Sequence, residues 1–317
     1  MNRVLLKHCT HAQASRLTPR DPLYRKWVDQ YTFRELKKDL GLGDLTTEVC
    51  FPKKKIINVF VIAKEAGIFA GEQETKYFLR KFPAIRWKFL KHDGMPLKNK
   101  DIVLRMRGSV DLLMKIERVI LNLLGRMSGV ATTTNRFVKK AKKKNRSVLV
   151  TPTRKTLWGL LDKRACVLGG GGTHRLGLDN AVLIKHNHLK AAGGNLQKLL
   201  RHVILRQAQD DKRIKFIEIE VRNKKDALMA SRIFTEAQQH GLKIPCFVML
   251  DNVAPREITE TIREANIKKF SKYVLFEASG RISEKNIAAY AKTGVDILSV
   301  GALTHSSPML DMSMRIV

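Results

Sequence analysis

The sequence predicts an α/β chain with a mixed N-terminal part. A parallel sheet with crossover helices follows, closed or nearly closed into a barrel. Three observations carry this. After Asn145, short β-rich runs alternate with helical patterns over six units. Those runs are mostly apolar, as strands covered on both faces are. The length, 317 residues with 44% hydrophobic, suffices for a core in one large or two ordinary domains and excludes wholesale disorder.

Taken in order, residues 1–20 hold no acid and several bases. They read as a disordered extension rather than an organelle transit segment, and their apolar stretch is too short for a secretory signal. Residues 32–40 read as a short amphipathic helix stopped at Gly41, with a loop over 43–47. Residues 57–63 read as a strand, 67–70 begin another segment, and 96–105 form a turn leading into a strand. Leu112, Ile116, Val119, Leu123, Leu124 and Met127 give 110–143 a long helical period. Gly125 and Gly129, four apart, permit close packing there. The barrel strands are expected at 147–150, 181–184, 216–221, 246–250, 273–277 and 297–300. Helices over 224–236, 255–264 and 283–292 lie between them. Residues 201–215 are polar and break the rhythm, which fits either a surface insertion or an ordinary exposed helix.

The formal net charge is +31, from 60 Lys and Arg against 29 Asp and Glu. Such a surface attracts polyanions, but no helix-turn-helix, zinc-finger or RNA-binding aromatic signature accompanies it. The bases of 53–55 and 139–146 read as solvated faces. No run approaches the ~18 apolar residues of a membrane span. The four cysteines stand far apart, which argues against a disulfide framework or a cysteine zinc site and fits a reducing cytoplasm.

In an α/β barrel, chemistry sits where strands end. Here the strands run into Arg154 and Lys155, into Lys185 to His188, into Asp251-Asn252, into Glu277 to Gly280, and into Gly301 with Thr304 and His305. The third strand itself carries Glu218 and Glu220. Cations suit an anionic substrate, and arginine can grip a carboxylate or phosphate bidentately. Carboxylates suit magnesium or a sugar hydroxyl. Glycines after the last strands let backbone N–H groups approach a phosphate. Four glycines before Thr173-His174-Arg175 add a further candidate anion site. Together these point to a phosphorylated sugar and an acidic second substrate.

The ordered series Thr153-Arg154-Lys155-Thr156, Gly159-Leu160-Leu161-Asp162-Lys163, Gly170 to Leu178, and Leu183-Ile184-Lys185 with Asn187-His188 resembles the quinolinate phosphoribosyltransferases. Gly43-Asp44-Leu45-Thr46-Thr47, Glu117-Arg118, Met127 to Thr132, Leu250-Asp251-Asn252, Glu277 to Gly280 and Ser299 to Ser306 extend the resemblance from about residue 24 to the C-terminus. It implies a basic extension over 1–23 and an α/β sandwich-like domain over 24–135. An incomplete six- to seven-stranded parallel α/β barrel then covers 136–317, with the insertion near 201–215. It further implies a cytoplasmic enzyme of NAD biosynthesis. That enzyme joins quinolinate to phosphoribosyl pyrophosphate with Mg2+, giving nicotinate mononucleotide, pyrophosphate and carbon dioxide, and works as a homodimer or larger assembly.

By that resemblance Arg118, Arg154, His174, Arg175 and Lys185 hold quinolinate or the phosphates, with Arg118 supplied by the neighbouring subunit. Lys155 contacts the phosphoribosyl donor. Glu220 and Asp251 hold the ribose and the metal, Glu220 being chosen over Glu218. Ser279, Gly280 and Gly301 bind the 5′-phosphate. No covalent nucleophile is needed. The sequence departs from the family at His186, where an aspartate is usual, at Arg281, and at Leu157-Trp158. His174 reads as a ligand contact or a core histidine, and His188 as a turn cap or a site residue. Asp44 reads as a cap, the three tryptophans as packing, and His8 and His11 as without a role. Two alternatives remain: a same-fold paralogue of the molybdenum-utilisation type acting on another acid, and a basic nucleic-acid-binding protein on a retired enzyme scaffold.

Overall fold

The computed structural model describes residues 3–51, 53, 55–207 and 214–317. The chain forms two compact units, each assembled from several stretches. One holds residues 1–13, 136–155 and 171–302, and the other holds 14–135, 156–170 and 303–317.

The first unit is the barrel. Its strands are Leu149–Thr151, Val182–Ile184, Ile217–Val221, Cys246–Asp251, Val274–Ser279 and Ile297–Ser299, all parallel. Across the sheet they run first, sixth, fifth, fourth, third, second. Among the described residues no ladder joins the first strand to the second, so the barrel is incomplete, with six strands. All six lie within two residues of the runs expected from sequence, because each is a short apolar run ended by polar residues. The crossover helices start on local signals. The Asn223 side chain caps Lys224–Gln239, and Pro255 opens Pro255–Ile267.

The N-terminal segment differs from expectation. Residues expected to be disordered form a helix, Arg3–His11. Arg3 pairs with Asp296 and donates to the Val274 carbonyl, while Lys7 donates to the Ser147 carbonyl. These partners mark the starts of the sixth, fifth and first strands, so the helix lies across the barrel floor. Leu6 packs there with Ala181, Phe216, Phe247, Leu275 and Ile297. Arg3 and Lys7 find their partners more than a hundred residues away, which no local reading can supply.

The second unit is built on a four-stranded antiparallel sheet. Met312–Ile316 pairs with Ile56–Ala63, which pairs with Ile102–Ser109, which pairs with Arg86–Phe89. One face of Ile56–Ala63 is buried through Ile57, Val59, Val61 and Ala63. It joins a core with Phe69, Phe78, Leu113 and Ile116, the last two from the long helix Val110–Lys142. A Cβ on Gly129 would lie 2.0 Å from the Pro308 carbonyl oxygen, which accounts for the glycine pair as a close chain crossing. Arg126 and Asp162 form a buried two-pronged ion pair at 2.9 and 2.8 Å, so Asp162 is a structural residue.

Three local differences remain. A helix begins at Pro22 and passes through a π segment, Gln30–Arg34, into Glu35–Leu40. The loop expected over 43–47 gives way at residue 45 to the helix Leu45–Cys50, with Asp44 accepting the Thr47 N–H as its cap. The polar segment over 201–215 begins inside the helix Leu196–Gln207. Residues 208–213 lie outside the described residues.

Candidate active site

Side chains alternate along a strand, so residues two apart share a face at different depths. The inward face of the barrel has three layers. The floor is apolar, from Leu6, Phe216, Phe247, Leu275 and Ile297. Above it lie Glu218 and Glu277, both fully buried, with Thr151 and Ser299 bonded to each other at 2.9 Å. The rim carries Glu220, Asp251 and Ser279 at the strand C-termini.

The rim holds some of the residues expected from sequence. Arg154 and Lys155 follow the first strand and are exposed, as is Lys185 after the second. Arg175 is buried, and its guanidinium donates to the Ala181 carbonyl at 3.3 Å. Burial chiefly lowers its affinity for its proton, the nearby Arg154 lowers it further, and Glu218 acts the other way. Glu220 is half-buried. Burial first, then the Asp251 carboxylate, push it above the usual carboxylate range, while Lys185 and Arg222 pull it back. Arg222 lies 3.8 Å from Asp251, and Asn252 donates to Asp251 at 2.8 Å. The rim therefore joins two acids to a group of cations.

The backbone at the rim is specialised. His174, Asn252 and Arg281 have φ of 51°, 58° and 50°, a region such residues avoid unless their surroundings hold them there. Gly280 has φ 90°, and a Cβ on it would meet the Asn252 side chain and backbone N at 2.5 to 2.7 Å. Only glycine fits at that turn. Gly301 is half-buried after the sixth strand.

Several residues stand elsewhere. Arg118 lies exposed on the helix Val110–Lys142, within the other unit. The His174 ring points inward: its Nε2 lies 3.5 Å from Glu218 and 3.4 Å from Glu277, and its Nδ1 accepts the Arg175 N–H at 2.7 Å. His188 Nδ1 accepts the Lys185 N–H at 3.0 Å, so it caps the turn. His11, read as without a role, is fully buried beside His174 and Glu277. No local signal marks it, because its partners come from distant strands. The Cys166 and Cys246 thiols are both pushed up to about 12 by burial and offer no nucleophile.

The rim combines a group of cations, two acids and glycine-flanked turns, and comparison with known proteins agrees with it. The profile of the quinolinate phosphoribosyl transferase C-terminal domain matches residues 130–315, and that of the N-terminal domain matches 44–128. A probable nicotinate-nucleotide pyrophosphorylase [carboxylating] of Methanocaldococcus jannaschii is 39% identical, over 92% of this chain and 99% of its own. One from Methanothermobacter thermautotrophicus is 34% identical, over 89% and 96%. The structure of the nicotinate-nucleotide pyrophosphorylase from Francisella tularensis superposes with a TM-score of 0.79 at 28% identity, covering 92% of this chain and 96% of that one. With both domain profiles matched in order along one chain, this protein belongs to the quinolinate phosphoribosyltransferase family.

Proposed function

We propose that this chain is a decarboxylating quinolinate phosphoribosyltransferase of NAD biosynthesis. One observation carries the reading beyond family membership. Arg175 is buried against the repulsion of Arg154, an arrangement that a dianion with two adjacent carboxylates would relieve. Beside it, Glu220 and Asp251 give the rim a pair of acids.

In this reaction the quinolinate ring nitrogen attacks C1 of the ribose, and its lone pair forms the new C–N bond as pyrophosphate departs with the C–O electrons. The ring, now positively charged, then releases its 2-carboxylate as carbon dioxide. The electron pair left at C2 is stabilised by the charged nitrogen and takes up a proton. Arg154, Arg175 and Lys185 hold the acid and phosphate charges, and Lys155 meets the phosphoribosyl donor. His174 acts from beneath through its link to Arg175. Gly280, Ser279 and Gly301 receive the 5′-phosphate. Glu220 and Asp251 offer the oxygen ligands that Mg2+ takes, together with the ribose contact. When bound, Mg2+ would neutralise charge on the departing pyrophosphate. The exposure of Arg118 supports its supply to a neighbouring subunit in a homodimer or larger assembly. The cytoplasm as site of action rests on the family reading alone; among the described residues no helix is long and apolar enough to cross a membrane.

The test is release of carbon dioxide and pyrophosphate from quinolinate, phosphoribosyl pyrophosphate and Mg2+. Equal release of both, with none from nicotinate, is the expected result. Turnover of another acid in place of quinolinate would assign the chain to a paralogous reaction.

A further inference from the structure

The profile matches begin at residue 44, yet the layer beneath the rim is completed by residues far upstream of it. The His11 carbonyl oxygen accepts the backbone N–H groups of Thr173 and His174, at 2.5 and 3.2 Å. A Cβ on Gly172 would lie 2.5 Å from that same oxygen, so Gly172 is what lets the two chains meet. The Gln13 N–H donates to Thr173 Oγ1 at 3.1 Å. The Gln13 side chain exchanges two hydrogen bonds with Asn180, at 2.6 and 3.1 Å, and Asn180 Oδ1 also accepts the Leu176 N–H at 3.1 Å. All of these groups except Leu176, which is half-buried, are buried. They bracket His174 and Arg175 on both sides.

The His11 ring continues the same contact. It stacks on Phe216 with centroids 4.4 Å apart, meets the His174 ring edge-on at 4.7 Å, and places Nε2 3.6 Å from Glu277. Thr10 gives its hydroxyl hydrogen to the Leu6 carbonyl, so His11 Nδ1, 2.8 Å from Thr10 Oγ1, carries its own hydrogen. His174 Nδ1 accepts the Arg175 N–H, so its Nε2 is protonated and faces the Glu218 and Glu277 carboxyls as a donor. The two histidines and two glutamates thus form a buried layer between the apolar floor and the rim.

We infer that His11 and Gln13 are positioning residues for the acid-substrate pocket: they fix the loop over 172–180 from beneath and hold Arg175 in place for the substrate carboxylates. The left-handed backbone of His174 fits this, since such a conformation persists only where its surroundings over-determine it. The inference rests on the proposed role of Arg175.

The test uses the full chain as wild type, Gln13→Ala, Asn180→Ala and the double variant. Quinolinate binding is measured by calorimetry without phosphoribosyl pyrophosphate, KM is measured for each substrate, and amide hydrogen exchange is followed over 172–180. Loss of one buried hydrogen-bonding partner should weaken quinolinate binding ~10-fold. KM for phosphoribosyl pyrophosphate should stay within ~2-fold, the Thr173, His174 and Leu176 amides should exchange faster, and the double variant should be no weaker than the weaker single one. Wild-type quinolinate affinity and exchange in folded variants would overturn the inference. So would equal weakening of both substrates, which marks a general loss of stability. If the wild type binds no quinolinate, the reading of the pocket has failed. The exchange rates then still decide whether residues 11–13 hold the loop.

Discussion

Glu218 and Glu220 lie on one strand, two residues apart and on one face, yet their surroundings differ. Each faces a second acid: Glu277 for Glu218, and Asp251 for Glu220. At the rim, Lys185 and Arg222 oppose the raising effect, and half of Glu220 stays open. One layer down, burial dominates and pushes Glu218 well above the usual carboxylate range, with Glu277 adding to it and Arg175 acting against it. Depth within the barrel thus separates a carboxyl open at the rim from one buried in the layer that supports it. The choice of Glu220 over Glu218, which sequence leaves insecure, becomes a question of depth.

The largest effect expected falls on the rim cations. Lys185→Ala should cost ~10²-fold or more in kcat/KM, the range seen when one donor to developing charge is removed, while the melting temperature barely changes. Steady-state kinetics and thermal unfolding check both halves, and a comparable loss of stability would erase the contrast between rim and interior.

A second prediction asks whether burial alone makes a carboxyl costly. In the other unit, Glu74 accepts a hydrogen bond from the Tyr24 hydroxyl at 2.7 Å and is raised to about 7 by burial and then by Asp93. Its unfolded counterpart releases a proton near 4.5. Between those values the folded state binds the proton and the unfolded state does not, so stability falls as pH rises from 4.5 to about 7 and is flat above. The cost at pH 8 is ~3 kcal/mol. Glu74→Gln should remove it, raising stability at pH 8 and leaving it nearly unchanged at pH 4.5. Denaturant unfolding at the two pH values measures this, and a gain of the same size at both would contradict it.

A smaller effect is expected at the Gly280 turn, proposed above to receive the 5′-phosphate. Gly280→Ala forces a Cβ into Asn252 at positive φ, and KM for phosphoribosyl pyrophosphate should rise about 10-fold while that for quinolinate changes less. The smallest concerns pH. Because Glu220 is raised, it takes up a proton sooner than an ordinary carboxyl as pH falls, and the acid limb of kcat/KM should lie above the ordinary carboxylate range. Arg222→Gln removes one opposing cation and should move that limb further up.

Much of the barrel was legible in sequence because each strand is marked locally, by an apolar run and the polar residues that end it. The rim cations were legible for the same reason: they follow those runs. What stayed hidden depends on distant partners. The strand Met312–Ile316 exists through its pairing with Ile56–Ala63. Arg3 needs Asp296, and Gln13 needs Asn180. His11 looked like one more residue of a basic extension, and its place became visible only when Phe216, His174 and Glu277 surrounded it. The inward turn of His174 was likewise beyond reach, since a sequence lists a histidine but not the depth to which its ring points.

The most direct test of the division by depth compares Glu220→Gln with Glu218→Gln, measuring carbon dioxide release from quinolinate at saturating phosphoribosyl pyrophosphate. Glu220→Gln should lose ~10²-fold. Glu218→Gln, which keeps a side chain of nearly the same shape in the buried layer, should stay within ~10-fold of wild type. The reverse order, with the deep variant inactive and the rim variant near wild type, would place the working carboxylate in the interior and contradict the account.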